Sequence, residues 1–303
     1  MIVFKNKNKN KKKDKSEEIR KKIKKIKIFT KRLMKSSIVG DYSSAFKGSG
    51  LEFDQLRDYT LGDDIRFIDW NSSARMNKIM VRELIEERDR TVILAIDVSA
   101  SSLFSSKDEL KKDMISQVGA ALALIAQENK DKVGVLFFTD KVEKWIPPSR
   151  GDVHFAQILE MIFSFEPKNK GTNLQEALNF LVGLKKRNSI VFMFSDWIDI
   201  TSDYSKILKL ANYEYDFVGI RFLDDCEKEL SDVGLLNIRD LETDHFLVID
   251  TKNKKLDILL KQRILEQKKI FEKNKIDTLD LIVGRPFVNP LINFFRQRIR
   301  RQI

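Results

Sequence analysis

"TVILAIDVSASSLF", residues 91–104, opens with five apolar residues in a row, Val92 to Ile96, and the run ends on a carboxylate, Asp97. A strand that is apolar at every position, not at alternate ones, is buried on both faces, as in a parallel sheet covered by helices. Two hydroxyls follow at alternate positions, Ser99 and Ser101. In an extended turn, residues i, i+2 and i+4 face one side, so Asp97, Ser99 and Ser101 can point at one spot just beyond the strand end.

The same pattern repeats downstream. Strands are expected at "KVGVLFFT" (132–139), "VEKWIP" (142–147), "SIVFMFSD" (189–196), "YDFVGIRF" (215–222), "HFLVID" (245–250) and "DTLDLIV" (277–283). Helical periodicity separates them over 107–129, 151–164, 173–186, 202–212 and 254–273, and again from Pro290 to the end. Apolar strands alternating with helices predict an α/β fold with a mostly parallel sheet and helices on both faces. Ligands of such sheets bind beyond the carboxyl ends of the strands, where Asp97 and Asp196 both fall.

The net charge of +11 looks like a nucleic-acid signal until it is located. Residues 1–36 hold 16 Lys/Arg against 3 Asp/Glu, leaving 40 of the 56 basic and 42 of the 45 acidic residues for the rest. The basicity belongs to a tail, so a domain-wide basic face for nucleic acid is not expected. Within it, "SEEIRKKIKKIKIFTKRLMKS" (16–36) spaces Ile19, Ile23, Ile26 and Leu33 as a helix would, with Lys and Arg between them. Such a basic amphipathic helix either docks on its own domain or touches an anionic membrane surface or acidic partner. Three segments result: the tail and helix at 1–36, an accessory segment rich in turns and charges at 37–90, and the α/β domain with its C-terminal extension at 91–303. A single cysteine, Cys226, rules out an internal disulfide, and the N-terminal charges are followed by no apolar segment; both fit a cytoplasmic protein.

A carboxylate and two hydroxyls are hard oxygen donors, suited to Mg²⁺ or Mn²⁺ and not to zinc. Thr172 in "GTN" (171–173) precedes a helix, and Asp196 in "FSDW" (194–197) ends a strand, so two further loops offer oxygen to the same rim. The plainer alternative is that Ser99, Ser101 and Asp196 each cap the helix that follows. Taken together, Asp97, Ser99, Ser101, Thr172 and Asp196 resemble the metal-ion-dependent adhesion site (MIDAS) of von Willebrand factor A-type domains. The resemblance implies direct ligation by the hydroxyls, one or both Asp residues acting through water, and a coordination position completed by an acidic side chain of a partner.

A longer resemblance covers about residues 16–251. "SAFKGSGLEFDQLRDYTLGDDIRFIDWNSSARMNKIMVREL", "DVSAS", "DKVGVLFFTDKVEKWIPPSRGDVHF", "GTNLQEALNFL" and "SIVFMFSDW" are similar to the bacterial family of domain of unknown function fifty-eight. Its members contain a von Willebrand A-like core and are often encoded beside MoxR-type AAA+ ATPases. The resemblance implies a von Willebrand A-like (Rossmann-like) sheet and a non-enzymatic adaptor that works with such an ATPase in protein maturation or complex assembly. The accessory segment supplies a second set of candidates, Arg57, Asp63, Asp64, Arg66, Asp69, Trp70 and Arg75, read either as a salt-bridge network with Trp70 packed beside it or as an interaction face.

Two rival functions deserve a place. A strand-end Asp with Mg²⁺ also describes phosphoryl-transfer hydrolases of the haloacid dehalogenase type, but those need a second Asp at i+2, and position 99 is Ser. Neither His154 nor His245 sits in a triad motif, Cys226 has acidic neighbours that oppose a thiolate, and there is no phosphate-binding G-x-x-x-x-G-K-[ST] loop. The other rival is a polyanion or membrane-surface binder acting through the tail.

Overall fold

The computed structural model describes residues 38–46, 51–86, 90–105, 110–186, 189–198, 203–228, 234–239, 246–250 and 254–302, with Lys21 and Lys24. The remainder of the tail and of the expected basic helix over 16–36 lies outside the described residues. Two compact units are present: residues 1–46 with 91–303, and residues 47–90. The larger begins with α1 (Ile38–Ala45). The smaller holds β1 (Leu51–Asp58), α2 (Trp70–Met76) and β2 (Met80–Glu86), with β1 and β2 paired antiparallel. The larger unit resumes with β3 (Thr91–Asp97), α3 (Lys111–Glu128), β4 (Lys132–Phe138), β5 (Val142–Ser149), α4 (Asp152–Ser164), α5 (Leu174–Gly183) and β6 (Ser189–Ser195). It ends with α6 (Ser205–Glu214), β7 (Asp216–Leu223), α7 (Asp225–Lys228), β8 (Leu235–Arg239), β9 (Phe246–Asp250), α8 (Lys254–Lys273), β10 (Asp277–Ile282) and α9 (Val288–Gln302).

Six strands form one sheet in the order β10-β7-β6-β3-β4-β5. Every neighbouring pair is parallel except β4 and β5, which run antiparallel at one edge. The expected α/β class is therefore the one observed. β3 lies inside the sheet, between β6 and β4, and its side chains alternate between two cores. Val92, Leu94 and Ile96 pack with residues of α1, α3, α4 and α9, while Ile93 and Ala95 pack with residues of α5, α6 and α8. This two-sided burial is why the strand shows no polar alternation.

The edge tolerates proline because β5 pairs on one side only. Pro148 lies so close to Gly134 of β4 that a Cβ there would sit 2.8 Å from the proline ring. One expected strand has a different place. "HFLVID" does not join the main sheet: β9 pairs with β8 in a separate two-stranded ribbon. The sequence reading places no strand at β8, whose "LLNIR" lacks clean alternation.

α1 belongs by its contacts to the larger unit, so the smaller unit starts at Lys47. The anchor is aromatic. Tyr42 and Phe46 are buried, and the Phe46 ring lies 5.5 Å from Phe192 of β6, 5.8 Å from Phe295 of α9 and under the Arg298 guanidinium at 4.4 Å. Arg298 also donates to the Ala45 carbonyl at 3.1 Å. Phe46→Ala empties this junction and is expected to cost about 3–5 kcal/mol of stability, read as a lowered urea midpoint.

Candidate functional site

Parallel register decides which side chains meet beyond the strand ends. Ile96 of β3 stands opposite Phe194 of β6, so the next residues along, Asp97 and Ser195, become neighbours. Asp97 is 3% exposed, and both of its oxygens are engaged. Oδ1 accepts from the Ser99 backbone N–H at 2.9 Å, and Oδ2 accepts from the Ser195 hydroxyl at 2.7 Å. Ser195 Oγ in turn accepts from the Trp197 N–H at 3.0 Å. One hydroxyl thus joins the D-x-S-x-S loop to the loop that carries Asp196.

Ser99 precedes a short 3₁₀ turn, Ala100–Leu103, but its side chain makes no capping hydrogen bond there. Its Oγ instead lies 3.0 Å from Ser101 Oγ. The capping alternative for Ser99 is therefore not the one observed, and two hydroxyl oxygens stand together beside the Asp97 carboxyl. The Thr172 loop joins the same rim through its backbone: the Ala100 N–H donates to the Lys170 carbonyl at 2.8 Å, and the Asn173 N–H to the Thr139 carbonyl at 3.1 Å. Thr172 is 8% exposed and precedes α5, whose N-cap is Asn173, accepting from the Glu176 N–H at 2.9 Å.

Asp196 is 7% exposed. Its Oδ1 accepts from the Ile198 N–H at 3.0 Å, and its Oδ2 lies 3.6 Å from the Lys111 ammonium at the start of α3. The next residue, Trp197, has φ +61°, a left-handed conformation that is strained for a bulky side chain and persists only when its surroundings fix it. Here they do. The Trp197 carbonyl accepts from Gln267 Nε2 at 2.9 Å and from the Tyr204 hydroxyl at 3.3 Å. Its indole packs on Phe271 at 4.9 Å and over Gly219 of β7, where a Cβ would come within 3.2 Å of the ring.

Burial, and secondarily the Asp196 charge, push the Asp97 carboxyl up to about 7. Two buried carboxyl groups and the paired hydroxyls gather oxygen donors at one rim. Donors of this kind could hold a hard divalent cation, and Asp97, Ser99, Ser101, Thr172 and Asp196 are the residues that could supply them. Three further residues shape the site: Ser195, Gln267 and Lys111. Ser195 sits inside the quoted "FSDW", but a hydroxyl in an apolar strand gives no local hint of its partner. Lys111 reads in sequence as one more charge of "DELKKDM".

In the smaller unit the second candidate set resolves into three separate pairs. Arg57 forks onto both oxygens of Asp63 at 2.7 Å each, and Thr60 donates to the same carboxylate from its N–H and its hydroxyl. Asp64 pairs with Arg66 at 2.6 Å. Asp69 caps α2 through the Ser72 N–H at 3.0 Å and accepts from Arg82 Nε at 2.9 Å. The Arg57 guanidinium holds the Asp63 carboxyl well below the usual range. Two expectations fail. Arg75 lies exposed at the end of α2, outside these pairs, and Trp70 is not packed but 65% exposed. It is the first residue of a seven-residue helix with no buried position, and Leu61, Ile65 and Met76 are also exposed.

Among the described residues, no helix is long and apolar enough to cross a membrane. The uncharacterized proteins Rv1480 of Mycobacterium tuberculosis and Mb1516 of Mycobacterium bovis are each 25% identical to this chain over 223 residues, 73% of its length and 70% of theirs. Solved structures similar in fold include the conserved hypothetical protein BatB from Bacteroides thetaiotaomicron, at TM-score 0.48 and 13% identity, covering 70% of this chain and 99% of that one. The SpRpn10 VWA domain is similar at TM-score 0.38 and 11% identity, over 67% of this chain and 94% of its own. The six-stranded, mostly parallel sheet lies between two helical layers. The family described as "Protein of unknown function DUF58" matches residues 55–269, most of the chain, and the protein belongs to that family.

Proposed function

We propose that this chain is a non-enzymatic, cytoplasmic protein-interaction adaptor whose Asp97, Ser99, Ser101, Thr172 and Asp196 hold Mg²⁺ or Mn²⁺, with an acidic side chain of a client protein completing the coordination. In this reading it works with a MoxR-type AAA+ ATPase in protein maturation or complex assembly. The observation that carries the ion site is the Ser195 hydroxyl bonded to Asp97, which draws the loops of Asp97 and Asp196 together. Hydroxyls supply much of the donor set, so a bound ion keeps its affinity for an external carboxylate oxygen. The absence of an enzyme activity is supported by Ser at position 99, where a phosphoryl-transfer hydrolase would place its acid, and by His154, whose Nε2 lies 2.8 Å from the Val133 carbonyl. The ATPase follows from the family resemblance. Its contact is assigned to the smaller unit, where Arg57, Asp63, Asp64, Arg66 and Asp69 stiffen a short segment that presents Trp70.

Calorimetric titration of the full chain with Mn²⁺ tests the ion site. One saturable site is expected, lost in both Asp97→Ala and Asp196→Ala; binding that survives in either variant would place the ion elsewhere. The metal-free protein also carries a pH signature. Folded Asp97 holds its proton up to about pH 7, against 3.8 for the ordinary carboxyl, so the folded state binds more protons between those values. Its contribution to stability therefore falls as pH rises from about 4 to about 7 and stays lost above. In EDTA, the urea midpoint of wild type relative to Asp97→Asn should drop between pH 5.5 and pH 8, and saturating Mg²⁺ should restore it at pH 8. For the smaller unit, Trp70→Ala is expected to move stability by no more than about 0.5 kcal/mol, as at other exposed positions, while weakening binding to the ATPase at least tenfold.

A further inference from the structure

Lys111 is an unusual residue in an unusual place. It is the first residue of α3, where the partial positive charge of the helix N-terminus opposes a cation. It is only 1% exposed, although lysine is almost never fully buried unless it is paired. Its ammonium lies 3.6 Å from Asp196 Oδ2 and 6.0 Å from the centre of the Phe104 ring, so it reaches the strand-end rim. Both the helix end and the desolvation work against this position. A charge that offsets them is the Asp196 carboxylate at the end of β6.

We infer that Lys111 is a built-in competitor for the divalent cation: its ammonium neutralises the Asp196 carboxylate when no ion is held, and ion and ammonium exclude one another there. This rests on the reading of the rim as a cation site. One physical consequence follows. A cation placed on the oxygen set meets a positive charge already seated at Asp196, so wild-type affinity is lowered and occupancy requires the lysine side chain to leave.

The test is Mn²⁺ titration by calorimetry on the full-length wild type, Lys111→Met and Lys111→Gln, with folding of each checked by thermal melting. At least tenfold tighter Mn²⁺ binding is expected in whichever variant folds, and binding seen only in the variants supports the inference equally. Equal or weaker binding in the variants, with wild type binding normally, overturns the competitor while leaving the ion site intact. No binding in any of the three overturns both. A second readout needs no variant: acetylation of Lys111 in the wild type, followed by mass spectrometry, should increase at least tenfold on going from EDTA to saturating Mn²⁺, and unchanged protection overturns the inference.

Discussion

A carboxylate buried at the end of an interior strand has to be satisfied by whatever the fold places beside it, and the bond from the Ser195 hydroxyl to Asp97 is the constraint on which this rim depends. Burial of an unpartnered carboxylate is prohibitive. Asp97 avoids that penalty by taking one hydrogen bond from its own next turn and one from the adjacent parallel strand. The second bond exists only because β3 and β6 run in the same direction and in one register. Satisfaction of one buried group therefore aligns two loops that are 98 residues apart. The oxygen donors of the rim are gathered by the same requirement.

Behind the rim a second polar chain reaches across the sheet. Arg221 of β7 is 1% exposed and forks onto Asp280 of β10 at 2.9 and 2.6 Å. Its remaining arm donates to Gln267 Oε1 at 3.1 Å, and Gln267 donates in turn to the Trp197 carbonyl. The left-handed Trp197, and with it the direction of the Asp196 carboxyl, is thus held from β7, β10 and α8 together. Removing one member of such a chain leaves the others buried without partners, so the whole relay behaves as a unit.

The smaller unit follows a different logic. Two of its ion pairs join residues close in sequence, Arg57 with Asp63 and Asp64 with Arg66, a third joins Asp69 to Arg82, and exposed pairs of this kind add little stability. Their effect is on shape: backbone N–H groups of Thr60, Arg66 and Ser72 are each bound by one of the same carboxylates, which fixes the turns.

The sheet was legible in the sequence because two-sided burial makes parallel strands continuously apolar, and "TVILAID", "KVGVLFF" and "SIVFMFS" say so without reference to anything else. The strand ends were legible for a related reason: a carboxylate such as Asp97 or Asp196 stands out at the end of an apolar run. Local pattern failed where pairing is decided at a distance. β9 looked like any other short apolar strand, yet its partner is β8, and Trp70, read as packed beside a salt-bridge network or as part of an interaction face, is exposed. The buried roles of Lys111, Ser195 and Gln267 belonged to the tertiary structure alone. A lysine near a helix start or a serine within a strand has the same local signature whether it faces water or a carboxylate, and only the register of the strands and the placement of α3 and α8 bring the carboxylate to it.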